Sequence, residues 1–275
     1  MNEQKNLIFA VVLSVAILVG FQFFYEVPRV EQEQARQAEL QASGASESSA
    51  PSASVLPGST KMSAEDAAKA RREIAADPKR IRIDAPGMRG TISTVGARID
   101  DAILTHYRES LDKDSDNIHL LKPVGAPKSY YAEFGWVPEV EGIPVPNAKT
   151  VWTADSETLS PNQPVTLTWD NGAGLTFERT YAIDNQFMFS VTQKVRNTGG
   201  EPVTLFPYGL ISRGGTPKTA GFYILHEGPL GVFDETLKEV DYDDLQEDGD
   251  VEVSATGGWI GITDKYWLAA LVPAQ

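Results

Sequence analysis

The chain has 275 residues with 38 acidic and 24 basic side chains, a formal charge of −14 and no cysteine. With no basic stripe to displace counterions from phosphates, a nucleic-acid partner is excluded, and the same charge argues against the domain lying flat on anionic lipid. The absence of cysteine excludes disulfides and thiolate metal sites.

Leu7 to Phe24 reads LIFAVVLSVAILVGFQFF, eighteen residues without a charge. As a helix this run spans roughly 27 Å, close to the hydrocarbon thickness of a bilayer. Phe21, Phe23, Phe24 and Tyr25 gather at its outer end, where an aromatic belt would sit. A cleaved signal peptide would have a shorter apolar core followed by a small-x-small site. Here bulky Phe23-Phe24-Tyr25 is followed by Glu26-Val27-Pro28. Residues 1–27 are therefore expected to be an uncleaved transmembrane anchor, in the lipid bilayer through Leu7 to Phe24. Lys5 and the amino terminus favour a cytoplasmic start, with Glu26, Glu31 and Glu33 on the far side.

Residues 28–78 form the expected linker. No Phe, Tyr or Trp occurs from Glu26 to His106, and Ala42 to Ser59 is built mainly from Ala, Ser, Gly and Pro. Such a stretch buries too little apolar surface to offset chain entropy and is expected to be disordered. Two flanking pieces have helical composition, Glu31–Gln41 and Ala64–Ala76. The second opens on Ser63-Ala-Glu-Asp66, which resembles a capping box, and closes at Asp77-Pro78. Both are expected as solvated, marginal helices.

From residue 79 to 275 the period becomes two. Leu175, Phe177, Tyr181 and Ile183 alternate with polar neighbours, only Arg179 interrupting the apolar set. Phe187, Phe189, Val191 and Val195 do the same, with Gln193 the interruption. Asp184-Asn185-Gln186 links the two runs, and Val165–Trp169 leads into Asp170-Asn171-Gly172, a strong hairpin signal. Further strands are expected at Arg80–Asp84, Gly90–Val95, Ala102–Tyr107, Val203–Ile211, Phe222–Leu225, Trp259–Thr263 and Trp267–Val272. The fold class is all-β, an antiparallel β sandwich preceded by one transmembrane helix and a disordered linker.

No catalytic, cofactor-binding or metal constellation emerges. Gly172-Ala-Gly174 begins like a dinucleotide fingerprint, but Phe177 stands at the third glycine position and no helix follows, so it reads as a hairpin turn. Ser212 lacks the glycine two residues earlier that a nucleophile elbow needs. The acidic stretch 241–252 places Asp241, Asp243 and Glu252 as a calcium loop requires. Leu245 and Gln246 then fail at positions five and six, leaving a solvated acidic loop. His226-Glu227 is the only adjacent acid–base pair among His106, His119 and His226, and neighbours on a strand face opposite ways. Trp136, Trp152 and Trp169 have rings suited to stacking on sugars, although tryptophan in a β sandwich is more often core.

The opening Met-Asn-Glu-Gln-Lys-Asn of the anchor, the low-complexity linker and two late blocks together resemble the YidC-type membrane protein insertases of Gram-negative bacteria. The blocks are FYILHEGPLGV, from Phe222 to Val232, and GGWIGITDKYWLAALVP, from Gly257 to Pro273. The resemblance implies a β domain in the periplasm with a supersandwich fold, shared with sugar epimerases and carbohydrate-binding modules. It also implies a function in inserting and folding inner-membrane proteins, alone or with the Sec translocon. The implied partners are Sec translocon components and nascent inner-membrane proteins. The insertase groove would lie beyond Gln275, with the sandwich itself stopping just short of complete. Implied too is that this piece is an anchor and accessory domain, not an enzyme, with its amino terminus cytoplasmic in the bacterial inner membrane. A membrane-tethered periplasmic carbohydrate-binding module is the alternative, and an epimerase-like enzyme a more distant one.

Overall fold

A computed structural model of the chain describes residues 63–217 and 225–274. The expected anchor, the linker up to residue 62 and most of the expected strand Phe222–Leu225 lie outside the described residues. Among the described residues, no helix is long and apolar enough to cross a membrane.

Helix α1 (Ala64–Ala75) begins where the sequence places it. The Ser63 hydroxyl oxygen accepts from the Asp66 backbone N–H at 3.1 Å, satisfying one of the free donors of the first turn. The expectation of a solvated, marginal helix needs correction. Arg71 reaches the buried Asp101 carboxylate at 3.8 Å with its side chain largely covered, and Ile74 is half-buried. A charge on the inner side of the helix fastens it to the sheet, which the low apolar content of the segment conceals.

The described strands are β1 (Ile81–Ala85), β2 (Met88–Ser93), β3 (Arg98–Arg108), β4 (Asn117–Leu121), β5 (Tyr130–Pro138), β6 (Thr153–Ala154), β7 (Thr158–Leu159) and β8 (Val165–Asp170). They continue with β9 (Leu175–Ile183), β10 (Phe189–Asn197), β11 (Leu205–Arg213), β12 (Gly228–Phe233), β13 (Thr236–Glu239), β14 (Gly258–Thr263) and β15 (Leu268–Leu271). They make three sheets. The largest runs β11-β5-β3-β2-β1-β7 with β4 also paired to β3, the second β10-β9-β8-β6, and the third β13-β12-β14-β15. The chain is thus mostly β, as expected, and consistent with a sandwich. It is not purely antiparallel: β1 and β7 pair in parallel, Arg82 beside Thr158 and Ile83 beside Leu159.

Alternation decides which faces are buried. In β1, Ile81, Ile83 and Ala85 point inward while Arg82 and Asp84 are exposed. In β9 every second residue from Leu175 to Ile183 is buried, including Arg179. Phe177 and Tyr181 are fully covered, each such side chain contributing about 1.5–3 kcal/mol by burial. The first two sheets meet through Trp136 and Phe177, whose rings are 5.1 Å apart edge to face. The third sheet meets the first where the Tyr130 hydroxyl donates to the Ile262 carbonyl at 3.3 Å.

The hairpin at residues 170–174 forms as its sequence indicates. Asp170 and Asn171 side-chain oxygens accept from the N–H groups of Gly172, Ala173 and Leu175. The next link departs from expectation. Phe187 has φ 71° and β10 starts only at Phe189, so Phe187 belongs to the turn rather than the strand. In that turn the Asp184 carboxylate accepts from the N–H groups of Gln186 and Met188. One glycine is set by close approach. At Gly258, φ 126°, a Cβ would lie 1.8 Å from the Val232 carbonyl oxygen, so the β12–β14 ladder requires its absence.

Candidate functional site

The two residues that break the apolar alternation turn out to tie the sheets together. Arg179 is 1% exposed and carries no carboxylate within salt-bridge distance among the described residues. Its guanidinium donates to the Ala97 carbonyl at 3.0 Å and to that of Phe134, with longer contacts to the Gly96 carbonyl and the Tyr181 hydroxyl. It also lies against two indoles, its Cζ 5.5 Å from the Trp136 centroid and 4.9 Å from that of Trp152. Gln193 donates to the Gly135 carbonyl at 3.0 Å. Both polar side chains cross from the second sheet to the backbone of β5. This strand pairs with β3 at a single position, Ile99 beside Ala132.

That arrangement decides the role of the tryptophans. Trp136 and Trp152 are 6% and 3% exposed and stack on each other 6.5 Å apart. Trp169 packs on Phe177 at 5.6 Å. Trp136 and Trp152 belong to the core, and Trp169 is half-buried against it.

The acidic stretch 241–252 is not the loop expected. Tyr242–Asp248 forms a short helix, α2, with Asp241 at its N-cap; its acidic side chains are exposed, and only Tyr242 and Leu245 are half-buried. Among the described residues, no group of three or more His, Asp or Glu could hold a metal ion. His226 and Glu227 precede β12 and do not work together. The His226 ring lies 3.3 Å from the Asp241 carboxylate through Nδ1 and 2.9 Å from the Pro229 carbonyl through Nε2. The Glu227 carboxylate accepts from the Lys265 N–H. Ser212 lies on β11 opposite Tyr131, in a ladder rather than an elbow.

Two polar clusters escaped the sequence reading. The first is buried beneath α1. Asp100 and Asp101 are both 2% exposed on β3, with Arg80 donating to Asp100 and to the Thr91 hydroxyl, which in turn donates to Asp101. Burial pushes both carboxyls above the usual range, against the pull of Arg80 on Asp100 and of the Thr91 hydroxyl and Arg71 on Asp101. The 3.8 Å ion pair from Arg71 to Asp101 Oδ1, a buried atom with no hydrogen-bond partner, joins this cluster to the helix.

The second cluster is open: a cleft of about 250 Å³ between β4, the ends of β5 and β11, and the β14–β15 turn. Its polar lining is Glu109, His119, Lys122, Lys128, Arg213 and Asp264, and its apolar walls include Ile118, Leu120 and Trp267. Arg213 donates twice to Asp264, at 2.6 and 3.1 Å, and lies 4.8 Å over the Tyr130 ring. Its guanidinium is therefore neutralised and held above its ordinary value despite burial. His119 is pushed down to about 4 by burial, with Arg71 and Lys122 adding to the effect, so the ring is neutral near pH 7. Its Nδ1 is buried without a hydrogen-bond partner. Burial also lowers Lys122. The available signal was Lys122-Pro123 through Lys128, two lysines flanking a Pro- and Gly-containing turn in an acidic protein. Nothing in the sequence places Arg213 or Asp264 beside them.

Comparison with known proteins bears on the whole chain. Residues 80–275 match the family model described as YidC periplasmic domain. The chain is 42% identical over 299 residues to the membrane protein insertase YidC of Methylorubrum extorquens, covering all of this chain and 48% of that protein. It is 45% identical over 287 residues to the protein of the same name from Methylobacterium nodulans, covering all of this chain and 47% of that one. The corresponding Beijerinckia indica protein is 44% identical over 286 residues. The chain spans about half the length of the curated relatives it matches.

Proposed function

The chain belongs to the YidC periplasmic-domain family, and from that membership we propose that it supplies the anchor and accessory periplasmic domain of a bacterial inner-membrane protein insertase. The observation that carries this reading is the match of the β domain from residue 80 onward, joined to relatives aligned across the entire chain. In this reading residues 1–27 anchor the protein through Leu7 to Phe24 with the amino terminus in the cytoplasm. Residues 28–62 give reach up to the docked helix α1, and the β domain works in the periplasm on nascent inner-membrane proteins, alone or with Sec translocon components.

Insertion requires a polar path for segments crossing the bilayer and no covalent step. The polar groups of the domain accord with that. His226, Glu227, Asp100 and Asp101 are each engaged in contacts that hold elements together. The domain is proposed to act by binding and positioning, not as an enzyme. A carbohydrate-binding module finds little support with Trp136 and Trp152 sealed in the core.

The test is depletion of the full-length protein in its own cells, with insertion of small inner-membrane proteins followed by protease protection. Stalled insertion, restored by the full-length gene, is the expected result. Normal insertion after depletion overturns the reading. A rescue variant lacking residues 79–275 then measures how far the β domain is accessory.

A further inference from the structure

The cleft has a charge balance opposite to that of the protein as a whole. The chain carries −14, yet the cleft gathers Lys122, Lys128 and Arg213 against Glu109 and Asp264. Arg213 is already paired with Asp264. Lys122 is half-buried, and among the described residues no carboxylate lies within salt-bridge distance of it or of Lys128. An ammonium group removed from water without a partner is costly, and a carboxylate placed against it restores what the water supplied. Lys128 is held at the mouth of the cleft by a left-handed backbone, φ 53°, in the turn between β4 and β5.

We propose that this cleft binds a monocarboxylate carrying a small apolar group, with Lys122 and Lys128 on the carboxylate and Trp267, Ile118 and Leu120 against the apolar end. Three features select that class. The volume of about 250 Å³ is enough for a small acid. The lining cations outnumber the carboxylates by a single charge while His119 is neutral, so a monoanion is matched and a dianion meets Glu109 and Asp264. The apolar walls give the body of the acid a dry surface. Lys122, whose ammonium is the more easily deprotonated for its burial, is also the residue whose chemistry reports occupancy. The proposal rests on the cleft alone and stands or falls independently of the insertase reading.

The test uses the full 275-residue chain in detergent micelles. It is labelled with limiting acetic anhydride and read by peptide mass spectrometry. Phenylacetate is expected to lower acetylation of Lys122 about threefold or more relative to sodium chloride at equal ionic strength. The exposed Lys149 should be unaffected. Phenylacetamide, which has the same shape without the charge, is expected to protect nothing. A thermal melt gives the second measurement: phenylacetate raises the midpoint of the native chain, and Lys122→Gln loses that rise. Equal labelling in phenylacetate and chloride overturns the proposal, as does equal protection by phenylacetamide. Stronger protection by inorganic phosphate overturns the monocarboxylate assignment. Should Lys122→Gln fail to fold, the labelling experiment on the native chain decides by itself.

Discussion

Replacing Arg179 tests whether a buried guanidinium without a carboxylate is held by carbonyls and indoles. In Arg179→Met the Tyr181 hydroxyl still caps the Ala97 carbonyl at 2.5 Å, so one strongly bonded acceptor, the Phe134 carbonyl, is orphaned. That loss is about 1–3 kcal/mol, and the two ring contacts add about 1–2 kcal/mol each in a desolvated setting. Against it stands relief of the buried charge, several kcal/mol in the other direction, so the net cost is about 1–3 kcal/mol. Arg179→Lys keeps the charge but loses the planar fork that serves several acceptors at once, which sets its cost at about 3–5 kcal/mol. The conservative substitution is therefore the more damaging one. Urea unfolding followed by tryptophan fluorescence reads it directly, since Trp136 and Trp152 flank the site. The midpoint should fall by roughly 1–2 M for Lys and by about half as much for Met. A lysine variant as stable as the methionine variant would show that the charge costs nothing there, and the reasoning would fail.

Three further outcomes follow from the same geometry. His119 is held near 4 in the folded chain, so the unfolded chain binds the extra proton between about pH 6.5 and 4. Its contribution is present above that window and declines as pH falls through it. His119→Gln should flatten this part of the stability profile, and the difference between the two profiles separates it from the opposing slope of Asp100 and Asp101. Gly258→Ala drives a Cβ against the Val232 carbonyl and should cost more than about 4 kcal/mol, whereas Gly142→Ala, with φ 90° and open space around it, should cost only about 1–2 kcal/mol; thermal melts of both variants check the contrast. Millimolar calcium should leave the melting temperature unchanged, since Tyr242–Asp248 is a helix whose carboxylates point to solvent rather than converge; a rise would place an ion there.

Half-buried strands were legible because one face alternates. Leu175–Ile183 was placed to the residue, and the neighbouring strand was misplaced at its start only because Phe187 adopts a left-handed turn conformation. Strands covered on both sides were not legible. Tyr130–Pro138 reads YYAEFGWVP, with buried neighbours at Tyr130-Tyr131 and at Gly135-Trp136 that break the alternation. Gly228–Phe233 is a strand despite Gly and Pro, since its two neighbours supply the ladder. The polar interruptions were visible as Arg179 and Gln193, but their purpose depends on backbone carbonyls far away in sequence. The cleft was invisible for a related reason: its cations and carboxylates come from the end of β3, the β4–β5 turn, the end of β11 and the β14–β15 turn, which only the assembled sheets bring together.

The seating of β11 beside β5 has a temporal consequence. Tyr130 pairs with Arg213 and Pro138 with Leu205, and the whole second sheet is encoded between them. A chain synthesised from its amino terminus therefore exposes one edge of β5 until β8, β9 and β10 have been made, and then closes it in one late event. Such distant pairing is slow and leaves a sticky intermediate, so a ribosome pausing between residues 138 and 205 would hold the domain at its most aggregation-prone stage.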